Sequence, residues 1–208
     1  MCVTEEDVKQ QRSFMYRQDA LACLIGRLLS RKAAVECLKI PWEDIEFGRT
    51  NRGKPFVKNE SVKSIPYNFN VSHQGDIVIL GCSPYPIGVD VMEINQNRSK
   101  TAAELIDTFK RQFTTQEVIV MRSKPTELER WRGFYRIWCL KEAILKATGI
   151  GLTRDLRKFD FVVNEELKPG DFVTNSQYYY DSELQTDWIL EESFVNEDHC
   201  AAVAMYYE

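Results

Sequence analysis

The chain has 208 residues, of which 44% are hydrophobic and 28% charged, enough for one large or two small packed cores. A formal net charge of -4 excludes a general nucleic-acid binder but leaves room for a local basic pocket. No apolar run approaches the roughly 20 residues of a membrane span, and the opening Met1-Cys-Val-Thr-Glu-Glu-Asp7 has neither the basic end nor the apolar middle of a secretory signal. These features lead us to expect a soluble, intracellular protein. Its six cysteines, Cys2, Cys23, Cys37, Cys82, Cys139 and Cys200, show no close metal or redox spacing and read as small buried hydrophobes in a reducing compartment.

From about Ser13 to Leu38 the apolar residues Leu21, Leu24, Ile25, Leu28, Val35 and Leu38 recur at helical spacing, which predicts a helix packing that stripe on a sheet. Arg17, Arg27, Arg31 and Lys32 fall mostly outside the stripe and read as a solvated face. Pro41 ends the helix before a strand-like Ile45-Glu-Phe47. Gly48-Arg-Thr-Asn-Arg-Gly-Lys-Pro55 has turn composition; alone, its basic residues read as a solvated hairpin tip.

Residues 56–66 read as a short strand and a polar loop. Phe69-Asn-Val-Ser-His73 then approaches a turn at Gln74-Gly-Asp76, and Ile77 to Cys82 departs as a buried strand, with Ser72 and His73 at the hairpin mouth. His73 on its own reads as a turn residue with a satisfied ring. Ser83-Pro-Tyr-Pro86 is the best linker candidate. Ile87-Gly-Val-Asp-Val-Met92 alternates as a strand does, yet Asp is a poor strand former, so Asp90 either begins a turn or has a task.

Residues 99–113 and 115–123 read as helices, the second capped by Thr114 or Thr115, with Lys110, Arg111 and Arg122 either solvated or a docking face for an acidic partner. The next helix starts near Thr126, where Thr126 and Glu129 match a capping box, and stops at Gly149. On it Tyr135, Trp138, Glu142 and Lys146 line one side, and Ile137, Leu140, Ile144 and Ala147 another. Taken alone, Glu142 and Lys146 read as an exposed i,i+4 ion pair. Taken with Asp90, Glu142 makes a two-point oxygen site for magnesium. Short strands follow at 159–163, 172–173, 178–180, 188–190 and 200–206, an antiparallel sheet covering this helix. His199, ahead of the last of them, reads as a surface turn residue.

Gly88-Val-Asp90, followed some fifty residues later by Trp138-Cys-Leu-Lys-Glu142-Ala-Ile-Leu-Lys146, resembles the paired signature of 4'-phosphopantetheinyl transferases of the larger, two-domain type, closest to the animal members. The basic loop at 48–55 and Asn70-Val-Ser-His-Gln-Gly-Asp76 agree with it. The resemblance implies an α+β fold of two similar α/β halves related by pseudo-two-fold symmetry, residues 1–86 and 87–208, the first lacking an initial strand. It also implies transfer of 4'-phosphopantetheine from coenzyme A to a serine of an acyl carrier protein or carrier domain, such as that of fatty acid synthase, by a cytoplasmic monomer using magnesium or manganese.

By the same resemblance Asp90 and Glu142 hold the metal, Lys146 charges the leaving phosphate, and Glu142 accepts the serine proton. Arg49, Lys54, Asn70, Ser72 and His73, with Glu142 and Lys146, contact coenzyme A. Many bacterial members carry a second acid where Met92 stands here, so water or Gln74 completes the metal shell. The upstream basic contact is unmatched unless Lys9 or Arg12 supplies it. A non-catalytic protein that binds coenzyme A or a carrier domain is the alternative.

Overall fold

The computed structural model describes residues 3, 8–9, 12–94, 100–151, 155–163 and 167–207; Cys2 and residue 99, where a helix was expected to start, lie outside them. Helix α1 spans Arg17–Leu38, followed by β1 (Phe47–Arg49) and β2 (Pro55–Val57), which pair antiparallel around the basic turn. Strands β3 (Asn68–Gln74) and β4 (Ile77–Ser83) form the expected hairpin, and β5 spans Ile87–Glu93. Then come α2 (Ala102–Phe109), α3 (Thr115–Ser123) and α4 (Glu127–Thr148), and the strands β6 (Phe159–Val162), β7 (Phe172–Val173), β8 (Gln177–Tyr180), β9 (Glu183–Leu184), β10 (Trp188–Asn196) and β11 (His199–Tyr206).

The later strands do not form one sheet. Strands β5-β11-β10-β7 make an antiparallel sheet, β6-β8-β9 a separate one, and β5 is left at the edge of the first. Helix α4 packs across β5 and β11, and its two apolar faces are both covered, so Trp131, Phe134, Ile137, Leu140 and Ile144 join one core cluster with Phe113, Phe159 and Leu190. Its start carries the Thr126–Glu129 capping box, and Gly149 ends it with a left-handed φ of 65°. No helix among the described residues is long and apolar enough to cross a membrane.

Helix α1 corrects the predicted stripe. Its buried face is Ala22, Gly26, Ser30, Arg31, Ala34 and Leu38, whereas Leu21 and Ile25 are exposed. Small residues win that face because α1 lies close on the hairpin: a Cβ at Gly26 would sit 3.0 Å from the Val71 side chain. Arg31 is buried rather than solvated, donating to the carbonyls of Trp42 and Ile45 beside the Trp42 and Phe47 rings. Strand β4 is half-buried, not buried.

Two buried polar links fix α4. Arg136 donates to Glu192 of β10 at 2.6 Å, and Lys141 pairs with Glu117 of α3 at 2.9 Å. Glu117 also accepts from the backbone N–H groups of Thr114 and Phe161, while Lys141 donates to the Leu156 and Phe159 carbonyls, so the pair ties α3, α4 and β6 at one point. Burial pushes the Glu117 carboxyl up to about 7 against the pull of Lys141. Lys141→Met leaves that carboxylate without its countercharge and is expected to cost about 3–5 kcal/mol, whereas the double change Glu117→Leu, Lys141→Met costs less. Urea titration of the two variants checks the order.

Gly88 owes its place to packing. A Cβ there would lie 2.0 Å from the Ala143 carbonyl oxygen and 2.3 Å from the Ala147 nitrogen, backbone atoms of α4 that cannot rotate away. Gly88→Ala is therefore expected to destabilise by at least about 3 kcal/mol, read as a lowered urea midpoint.

Candidate active site

The site forms where the β3–β4 hairpin meets the open edge of β5. With no strand on that side, two β5 backbone amides need partners, and side chains of β3 provide them: Val89 N–H donates to Asn70 Oδ1 at 2.9 Å and Val91 N–H to Ser72 Oγ at 3.3 Å. Ser72 in turn donates to Asp90 Oδ1 at 2.9 Å and accepts from Lys146 Nζ at 2.9 Å, so its hydroxyl is fully used. Lys146 completes a triangle, pairing with Asp90 Oδ1 at 2.7 Å. Asp90 is therefore mid-strand and does not begin a turn, and Lys146 is not held in an i,i+4 pair with Glu142.

The two expected acids keep open valences. Asp90 is 4% exposed, and its Oδ2 is buried with no hydrogen-bond partner. Glu142 has no hydrogen bond or ion pair among the described residues. Its carboxyl is raised above the ordinary range by burial first and then by the charge of Asp90, with Lys146 pulling the other way, so the two carboxylates feel each other across the site. Asp90, Glu142 and Lys146 are brought together. No cluster of three or more His, Cys, Asp or Glu side chains suited to a metal occurs among the described residues.

A cavity of about 250 Å³ opens beside this triangle, lined by Lys54, Asn70, Glu142 and Lys146 together with Arg52 and Gly149. The β1–β2 turn thus reaches the end of α4. Lys54 Nζ donates to the Ala147 carbonyl at 2.6 Å, a cation at a helix C-terminus, and burial lowers its pKa. Arg49 is exposed and spends one donor on the Gly53 carbonyl of its own turn. Arg52, not selected from the sequence, lines the cavity instead; a hairpin tip has no periodicity from which its direction could be read.

His73 is exposed and alternates with Ser72, so it lies on the other face of β3 and the structure does not bring it to Asp90. By the same pleat Gln74 shares a face with Asn70 and Ser72. Met92 packs against the core. His199 corrects the surface reading: it is 7% exposed, and its Nε2 points at Gly75, where a Cβ would approach within 2.7 Å of it, with Glu93 alongside.

Lys110 and Arg111 line a larger open groove of about 980 Å³ that holds none of the predicted site residues and mixes their charge with Asp155, Asp160 and Asp181. Arg122 pairs with Asp107.

Known proteins share sequence with this chain on both sides of the site. Residues 86–204 match the model of the 4'-phosphopantetheinyl transferase superfamily, and residues 1–85 the model described as 4'-phosphopantetheinyl transferase, N-terminal. The chain belongs to the 4'-phosphopantetheinyl transferase superfamily, a family of enzymes.

Among its relatives, the L-aminoadipate-semialdehyde dehydrogenase-phosphopantetheinyl transferase of Xenopus laevis is 37% identical over 207 residues, covering 98% of this chain and 68% of that protein. The protein of the same name from Homo sapiens is 35% identical, covering 98% and 67%. A phosphopantetheinyl transferase of Thraustochytrium sp. is 32% identical, covering 97% and 69%.

Because burial and Asp90 raise the Glu142 pKa in the folded state, ionised Glu142 opposes folding above its unfolded pKa, near 4.5, and this cost vanishes as pH falls below that value. Glu142→Gln is therefore expected to raise stability at pH 7 by the order of 0.5 kcal/mol. The gain should disappear below about pH 4.5, checked by urea midpoints across that range.

Proposed function

We propose that the chain transfers the 4'-phosphopantetheine arm of coenzyme A to a serine hydroxyl of an acyl carrier protein or carrier domain and releases adenosine 3',5'-bisphosphate. The observation that carries this reading is the convergence of two acids on separate elements with one ammonium: Lys146 pairs with Asp90, the charge of Asp90 reaches Glu142, and Glu142 and Lys146 line a cavity together with the basic β1–β2 turn. Binding alone would not require the acid pair, which speaks against the non-catalytic alternative.

A divalent ion such as magnesium or manganese fits the residues present. Asp90 Oδ2 is a buried carboxylate oxygen without a donor, and Glu142 is unpaired among the described residues; both are hard oxygen ligands. Asp90 and Glu142 would hold the ion, with Gln74 or water completing its shell, since Met92 offers no oxygen. Once bound, the ion supplies positive charge to the pyrophosphate of coenzyme A.

The chain's own groups account for the rest. Lys146 stands one helical turn from Glu142 and offers an ammonium where the leaving phosphate gains negative charge as its bridging bond breaks. Glu142, its basicity increased by burial and by Asp90, is suited to accept the serine proton, directly or through water. Lys54 and Asn70 line the cavity and, with Arg49, Ser72 and His73, are our candidate contacts to coenzyme A; Arg52 joins them by position. Ser72, whose hydroxyl is already saturated, would act chiefly by fixing Asp90 and Lys146.

In this reading two pseudo-symmetric halves divide at residue 86, the protein works as a cytoplasmic monomer, and the carrier of fatty acid synthase is its partner.

The test is to incubate the chain with coenzyme A, magnesium and an apo carrier and to weigh the carrier. A gain of one phosphopantetheine is expected. Asp90→Asn, Glu142→Gln and Lys146→Met should each slow it by at least about 10²-fold. No gain with the unaltered chain, under conditions where coenzyme A binds, would establish the binding-only alternative.

A further inference from the structure

Five cysteines are free among the described residues, and they do not share one environment. Cys139 and Cys200 are buried, their sulfurs 3.5 Å apart. Cys37 and Cys82 are exposed, yet their sulfurs also lie only 3.9 Å apart across 45 positions of sequence. Each sits on a firm element. Cys37 occupies the last turn of α1, and Cys82 is in β4, paired with β3 along its whole length. The close seat of Gly26 on Val71 and Val78 holds α1 against that hairpin. Tyr67 adds a second observation: its hydroxyl is buried without a partner, and its pKa is raised by burial and by the charges the two thiols would carry.

We propose that Cys37 and Cys82 form a modification site, a surface dithiol that low-molecular-weight disulfides such as glutathione disulfide oxidise to an internal disulfide. A disulfide holds its sulfurs about 2.05 Å apart, so closure from 3.9 Å asks for about 2 Å of approach, within reach of side-chain rotation on two exposed residues. Burial and the neighbouring Cys37 raise the Cys82 thiol above its ordinary value, which disfavours Cys82 as the first attacking thiolate.

The Cys37 thiolate bonds to one glutathione sulfur and expels the other as a thiolate, giving a mixed disulfide. Cys82 then loses its proton and attacks the Cys37 sulfur, expelling the second glutathione. The protein loses two hydrogens, and the oxidant is reduced to two thiols. Exposure separates this pair from Cys139 and Cys200, whose sulfurs are nearer each other but which are each only 1% exposed and closed to such an oxidant. The bond would staple α1 to the hairpin that carries Asn70 and Ser72.

The experiment exposes the whole chain to glutathione disulfide, blocks remaining thiols, and reads intact mass, cross-linked peptides and thermal midpoint. The expected product is lighter by two hydrogens, links the Cys37 and Cys82 peptides, melts roughly 5–10 °C higher and reverts with reductant. Cys37→Ser and Cys82→Ser should each abolish the cross-link and the shift. A lasting glutathione adduct on unaltered protein, a cross-link only between Cys139 and Cys200, or no reaction at all would overturn the proposal.

Discussion

The open edge of β5 is the constraint on which the site depends. A strand edge at the junction of two packed bodies cannot leave its amides bare, and here the partner is a row of side chains, Asn70 and Ser72, in place of another backbone. That substitution joins the hairpin to the sheet through bonds that also aim functional groups. The Ser72 hydroxyl that accepts from Val91 also donates to Asp90 and receives Lys146, so a displacement of the hairpin would reach the acid and the ammonium together. Packing and chemistry share the same few atoms.

Helix α4 explains how so polar a site stays ordered. It is covered on almost every side, and its charged residues are each assigned: Arg136 to Glu192, Lys141 to Glu117, Lys146 to Asp90. Only Glu142 lacks such a partner among the described residues, and it is the residue whose carboxyl is raised by its surroundings. A half-buried acid without a direct partner lowers stability, and proteins retain such groups mainly at functional sites. Gly88 belongs to the same account, because its missing side chain is what lets β5 lie close enough to α4 for Asp90 and Lys146 to meet.

Much of this was legible in the sequence because periodic patterns report burial. The span of α4, its capping box and its glycine stop follow from local rules, as do the β3–β4 hairpin and the strand around Asp90. What the pattern missed depends on partners distant in sequence. Leucines on α1 look like a core face, but the close hairpin favours small residues there, so Ala22, Gly26 and Ala34 are buried while Leu21 stays outside. Arg31 and His199 carry polar tips that suggested solvent, and each was drawn inside by a neighbour that no local spacing encodes. The same holds for the site. Asp90, Glu142 and Lys146 could be selected from motifs, whereas the role of Ser72 as the hydroxyl shared between Asp90 and Lys146 required the placement of β3 against β5.

Charge balance sets the final limit on how the cleft is used. Asp90 is nearly out of water, so it needs a countercharge, and Lys146 is that charge. An ammonium so engaged neutralises less of a phosphate's charge than a free one does. Lys146 can therefore give its full charge to a ligand only when Asp90 is compensated from elsewhere. Lys54 is tied in a similar way, since its ammonium caps the Ala147 carbonyl at the end of α4. With both cations committed to protein acceptors, the cleft does not accumulate uncompensated positive charge. Freeing Lys146 from that pairing requires a competing positive charge for Asp90, so the acid and the lysine act as one device and not as two.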